Sequence, residues 1–152
     1  MAAVDQDKLG DFLKQTGGMV AAGFNCAITV LGDRLGLFET LYAIGPCDSA
    51  TLAKKLHLHE RWVREWLQHQ ACVGQVDYDP DSDVFALSAE AHAVLVDADH
   101  PAYLMGAYDA ALAVFPAVET LQQSFRTGLG MSYDEHGPNC ACGIERMGAF
   151  SK

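Results

Sequence analysis

The side chains best equipped to act on a ligand lie in Met131-Ser132-Tyr133-Asp134-Glu135-His136. A phenol and an imidazole three residues apart can hold a nucleophilic acceptor in line with an electrophile and take up its proton. Tyr133 and His136 are the candidate substrate-facing residues should a catalytic domain stand beside them; a tail without fixed structure is the plainer reading. Four carboxylates form a second set: Asp79, Asp81, Asp83 and Glu90 fall at the first, third, fifth and twelfth places of a calcium-binding loop. Val84 occupies the place that needs glycine for the sharp turn, and Pro80 stiffens the start, so a solvated acidic hairpin is the better reading. His57, His59 and His69 lack the His-Glu-x-x-His spacing of a zinc helix. Cys140-Ala-Cys142 is too short for a zinc knuckle and has no second pair. No catalytic, cofactor-binding or metal-ligating residue is assigned.

Arg61 and Arg64 have the charge to meet phosphate from a recognition helix. Glu60 and Glu65 sit beside them, and Asp77, Asp79, Asp81 and Asp83 follow where a DNA reader would place Lys or Arg. A mixed-charge solvent face is the expectation. The whole chain points the same way. Its net charge is −10, with ten Lys and Arg available, and nucleic-acid affinity rests largely on neutralising phosphates. Half of the 152 residues are hydrophobic, too apolar for disorder and enough for one domain with a core. Five scattered cysteines suit a reducing compartment, and no signal-like segment opens the chain, so the cytoplasm is expected. The apolar run from Gly17 to Gly32 is shorter than the ~20 residues that span a bilayer.

The elements that must position these groups are mainly helical. Leu9, Phe12, Leu13, Val20, Phe24, Ile28, Leu31 and Leu35 have helical spacing, with a bend expected at Gly17-Gly18. Between Met19 and Leu31 this helix is apolar nearly all round and needs cover on several sides. A homodimer through the N-terminal helices is expected. Gly45-Pro46 stops the next helix, and Asp48 or Ser49 caps a short one containing Leu52, Ala53 and Leu56. A longer helix to about Val73 carries a core stripe of Leu58, Trp62, Val63, Trp66, Leu67 and Val73. Gly74 ends it. Strands over 75–79 and 83–87 flank the turn Pro80-Asp81-Ser82. Ser88 caps a helix over 89–96. Pro101 opens another, which Pro116 kinks or restarts. The segment 128–152 reads as loop with at most one helical turn. The fold expected is thus mainly α: a winged helix-turn-helix with a small β-hairpin wing plus a kinked helical extension.

The run Gly32-Asp33-Arg34-Leu35-Gly36-Leu37-Phe38, then Leu52-Ala53, then Arg61-x-x-Arg64-Glu65-Trp66-Leu67, resembles a known pattern. It is similar to the N-terminal winged-helix region of class I S-adenosylmethionine-dependent methyltransferases of the group found in mycobacteria and some animals. Tyr78-Asp79-Pro80, Pro101-Ala102-Tyr103-Leu104 and Gly130-Met131-Ser132-Tyr133 extend the likeness over most of the chain. The resemblance implies a winged-helix dimerisation domain over 1–97, a helical extension over 98–127 toward a catalytic domain, and a tail over 128–152. It also implies S-adenosylmethionine as the cofactor of the full-length family, held by a Rossmann-like domain. Gly128-Leu129-Gly130 follows a helical pattern and leads into no helix, so it fails the context of a nucleotide loop. The expected function is a dimerisation and substrate-capping module, truncated and not catalytic alone, with no nucleic-acid or membrane partner. Arg34 is expected to cap or pair at a helix junction. Two other readings stay open: a winged-helix transcriptional regulator, and a complete enzyme with unrecognised chemistry.

Overall fold

The structure, a computed structural model, describes residues 3–148. Helix α1 spans Gln6–Arg34 and passes through Gly17-Gly18 without ending. Asp5 starts it: its carboxylate accepts from the amides of Asp7 and Lys8 at 3.1 and 3.2 Å. At Leu35-Gly36 the chain turns by 62° into α2, Leu37–Ile44. Gly36 takes φ 68° there, a left-handed conformation that glycine reaches without a Cβ clash.

Helices α3 (Ser49–Leu56) and α4 (Glu60–Cys72) form the helix-turn-helix. Asp48 accepts from Thr51 N at 2.8 Å, and its hydrogen bonds to Thr51 hold its carboxyl below the usual pKa. The wing pairs β1, Asp77–Asp79, antiparallel to β2, Val84–Ala86, with Tyr78 opposite Phe85. Both strands are shorter than the five-residue runs expected. Cys47 exchanges two backbone hydrogen bonds with Phe85, at 2.8 and 3.0 Å, and ties the wing to the α2–α3 connection. Helix α5 spans Ala89–Leu95 behind Ser88, which accepts from Ala91 N.

The core gathers Leu37, Phe38, Leu41, Leu52, Val63, Trp66, Leu67, Phe85 and Met105, all buried. Trp66 centres it. Its ring meets Phe38 edge-on at 4.8 Å, and its indole N–H donates to Ile28 O at 3.0 Å. A side chain at Gly32 would run into that indole, so the residue must be glycine for α1 and α4 to pack this closely.

Two members of the expected α4 stripe are not core. Trp62 is 66% exposed and Val73 is 44% exposed. Helical steps of about 100° carry Val63, Trp66, Leu67 and Gln70 inward instead. Trp62 lies one step aside under Arg61, and Val73 lies past the helix end.

Helix α6 begins at Met105 rather than Pro101, which sits in a turn, and runs unbroken to Thr127. Pro116 lies inside it and deprives the Leu112 carbonyl of its usual helical donor, but does not restart it. The tail departs furthest from expectation. Residues Tyr133–His136 form a 3-10 turn, and Gly137–Gly148 form α7, closely packed on α6. Ser132 and Glu135 make a capping box, with Ser132 N donating to the Glu135 carboxylate at 2.7 Å. Gly143 lies so near α6 that a Cβ there would sit 2.6 Å from the Gly106 carbonyl. The glycines that argue for loop in sequence are what let two helices touch. Among the described residues no single helix is long and apolar enough to cross a membrane.

Candidate functional site

The dominant surface feature is the outer face of α1. Every residue from Asp11 to Ala22 is exposed, with Phe12, Leu13, Met19 and Val20 among them, and Phe24 follows at 71% exposed. Cβ atoms added at Gly10, Gly17 or Gly18 would meet nothing within 4 Å. Glycine inside a helix costs about 1 kcal/mol relative to alanine, and short isolated helices are marginal in water. The N-terminal half of α1 therefore needs packing that the described residues do not supply.

Two cavities border this face. A groove of about 560 Å³ lies between α1 and α6, lined by Met19, Val20, Gly23, Phe24, Leu112 and Phe115. A cleft of about 320 Å³ opens on the α4 side, where Leu31 and Leu35 meet Leu58, His59, Trp62 and Val63. Farther along α6, Phe125 is 91% exposed. This is chemistry for an apolar partner.

A charged junction fixes the other end of α1. Asp109 is 1% exposed and is reached by two arginines: Arg34 at 3.3 Å and Arg146 at 2.6 Å. Arg146 also pairs with Asp33 at 2.8 Å and donates to the Tyr103 hydroxyl, while Arg34 donates to Asn139 at 2.9 Å. The hydrogen bond to Asp33 leads the interactions that push the Arg146 pKa above its ordinary value. Burial pushes the Tyr103 phenol up, against the pull of Arg146. One cluster thus locks α1, α6 and α7 together. Arg34 was legible as a pairing residue at a helix junction. Asp109 and Arg146 were not singled out, although a lone acid within Met105–Leu112 is a signal, because unpaired acids are rarely buried.

A smaller polar network lies where α1, α4 and α6 meet. Thr29 donates to Gln75 at 3.0 Å, Gln75 donates to Tyr108 at 2.9 Å, and His69 Nε2 lies 3.1 Å from Asn25 Oδ1. Burial raises the pKa of the Tyr108 phenol.

Tyr133 and His136 lie on the turn before α7, Tyr133 exposed and His136 half-buried. The shallow depression there, about 250 Å³, is lined by Tyr133, Asp134, Gly137, Pro138 and Ala141. It takes in Tyr133 but not His136. In the wing, Asp79 accepts from Asp81 N at 3.0 Å and from the Ser82 hydroxyl at 2.5 Å, which holds its carboxyl below the usual pKa. Tyr78 donates to Asp83 at 2.9 Å. These carboxylates shape the turn. Among the described residues no group of three or more His, Cys, Asp or Glu is placed to hold a metal ion. Burial, and then Asp48, raises the Cys47 thiol pKa, which keeps it protonated and inert at neutral pH.

The helix-turn-helix surface does not present a cationic groove. Between His59 and Asp83 two arginines stand against six carboxylates. Arg64 pairs with Glu60 at 3.6 Å, and Arg61 lies over Trp62. The chain should leave random duplex DNA unshifted in an electrophoretic assay even at low salt, where phosphate contacts are strongest. A salt-sensitive shift would restore the gene-regulator reading.

The model of the Rv2258c-like winged HTH domain family matches residues 22–97, half of the chain. No curated protein sequence matches it. Among solved structures, the mitomycin 7-O-methyltransferase MmcR superposes with a TM-score of 0.74 at 22% identity, over 97% of this chain and 46% of that one. The N,N-8-amino-8-demethyl-D-riboflavin dimethyltransferase RosA from Streptomyces davawensis gives 0.61 at 19%, over 93% and 44%. PigF with SAH gives 0.57 at 19%, over 95% and 44%. The chain spans less than half the length of each of these proteins, and at such identities the likeness is one of fold.

Proposed function

The chain belongs to the Rv2258c-like winged helix-turn-helix domain family, and from that premise we propose that it is the dimerisation and acceptor-capping module of an S-adenosylmethionine-dependent methyltransferase. The observation that carries this reading is the exposed apolar face of α1, continuous with the groove against α6. A large exposed apolar patch marks an interface. The fold shared with two methyltransferases and with a protein bound to SAH supports the enzyme class.

The residues described here do not fit the methyl donor. A class I domain grips its nucleotide at a glycine turn between a parallel strand and a helix. Gly128 instead ends α6 at φ 73°, Gly130 leads into the Ser132-capped turn, and the sheet among the described residues is the two-stranded wing. No transfer step is assigned to this chain. In this reading residues 1–97 dimerise and the extension over 98–127, which contains α6, reaches toward the catalytic domain. Tyr133 and His136 face the acceptor from the turn beyond it. The module works in the cytoplasm, where its free thiols persist.

Light scattering over a rising concentration series should give the mass of a dimer, and Phe24→Asp should return it to monomer by placing a charge on the face. Calorimetry with S-adenosylmethionine should give no saturable heat. A clean monomer at the highest concentration overturns dimerisation, and stoichiometric donor binding overturns the non-catalytic role.

A further inference from the structure

The chain has two tryptophans, and both line the cleft between α1 and α4. Trp66 lines it together with Leu37, and both are buried in the core. Part of the cavity wall is thus fixed before anything enters. Trp62 lines the same cleft but is mostly in solvent, and the neighbouring His59 side chain makes no capping bond to α4. Small-ligand sites are concave, mostly apolar and roughly 300–1,000 Å³, with a few polar groups that orient the ligand. This cleft, at about 320 Å³, lies at the lower end of that range.

Arg61 supplies the orienting group. Its guanidinium lies 5.4 Å over the Trp62 ring. Every other described arginine has an acceptor: Arg34 has Asp109 and Asn139, Arg64 has Glu60, Arg126 has Gln122, and Arg146 has Asp33 and Asp109. Arg61 has none among the described residues, in a chain whose net charge is −10. Its neighbour Glu60 is engaged by Ser49 at 2.7 Å and by Arg64, and Glu65, one turn along, does not pair with it. An unopposed guanidinium beside an exposed indole suits a flat ring that carries an anion. The ring stacks on the indole, and the planar fork of arginine matches a carboxylate.

We propose that the cleft between α1 and α4 binds a small planar aromatic carboxylate, with its ring against Trp62 and its carboxylate on Arg61. The site uses only the C-terminal end of α1, beginning at Leu31, about two turns past Phe24. It rests on neither the dimer reading nor the placement of Tyr133 and His136.

The probes are β-naphthoate and the uncharged β-naphthylmethanol. Calorimetry on the full chain should show one naphthoate bound per chain. Arg61→Gln should weaken naphthoate about tenfold and leave the alcohol unchanged. Trp62→Ala should weaken both by about tenfold. Both side chains face solvent, so each variant should keep the wild-type circular dichroism spectrum. Phe115→Ala, in the α1–α6 groove, should change neither affinity. Naphthoate should also shift the Trp62 indole N–H resonance, identified by its loss in Trp62→Ala. The site is overturned by an absence of saturable binding, or by equal naphthoate affinity in Arg61→Gln and wild type. Loss of binding in Phe115→Ala but not in Trp62→Ala overturns it as well. So does an affinity that falls as the protein is concentrated, which would make a second copy the occupant.

Discussion

Trp66→Ala should lower the stability of the domain by about 3–5 kcal/mol, a loss comparable with the whole margin of many small domains. The indole is 5% exposed, stands edge-on to Phe38 and donates to Ile28 O across from α1. Truncation leaves a cavity between α1 and α4 where Gly32 has no side chain to fill it, and removes the side-chain donor to the Ile28 carbonyl. Urea titration followed by circular dichroism measures the loss directly. Trp62→Ala, four residues earlier on the same helix, should move the midpoint far less, because its ring is mostly in solvent within the single chain. An unshifted midpoint for Trp66→Ala would mean that the indole does not hold α1 to α4.

The second large effect belongs to Asp109→Ala. Removing one partner of a buried ion pair costs about 3–5 kcal/mol, because a charge is left in the interior without its counterpart. Arg34 is largely exposed and Arg146 keeps Asp33, so about 2–3 kcal/mol is the expected loss here. Its location is more telling than its size. Asp109 is where α1 and α7 are both fastened to α6, so hydrogen exchange should quicken in the amides of α7 before those of α2 to α4. Asp109→Asn keeps the shape and an acceptor oxygen and should recover part of the loss. Equal quickening everywhere would show that the cluster is no local lock.

The winged helix was legible because its signals are short-range. Asp48 and Ser88 announce helix starts, Gly74 an end, and Pro80-Asp81-Ser82 a turn; each acts on its nearest neighbours. What stayed hidden depends on the third dimension. Trp62 and Trp66 share a helical spacing, and only the position of α1 decides which ring is covered. Gly143 looks like a helix breaker until Gly106 is placed across from it. Asp109 and Arg146 lie 37 residues apart, beyond any local pattern. Pro101 carries a helix-start signal that the turn around His100 absorbs, with Ala102 N donating to the His100 ring. The candidate site shows the same division: the apolar run of α1 could be read directly, but its two bordering cavities could not.

The N-terminal arm of α1 has a consequence for how this protein behaves in a cell. Its helicity is held by whatever comes to cover it, so the free energy of folding includes the free energy of meeting. If the proposed second copy is that cover, dilution should act on this chain as a denaturant acts on others, and the rate of synthesis should become one of the determinants of its shape.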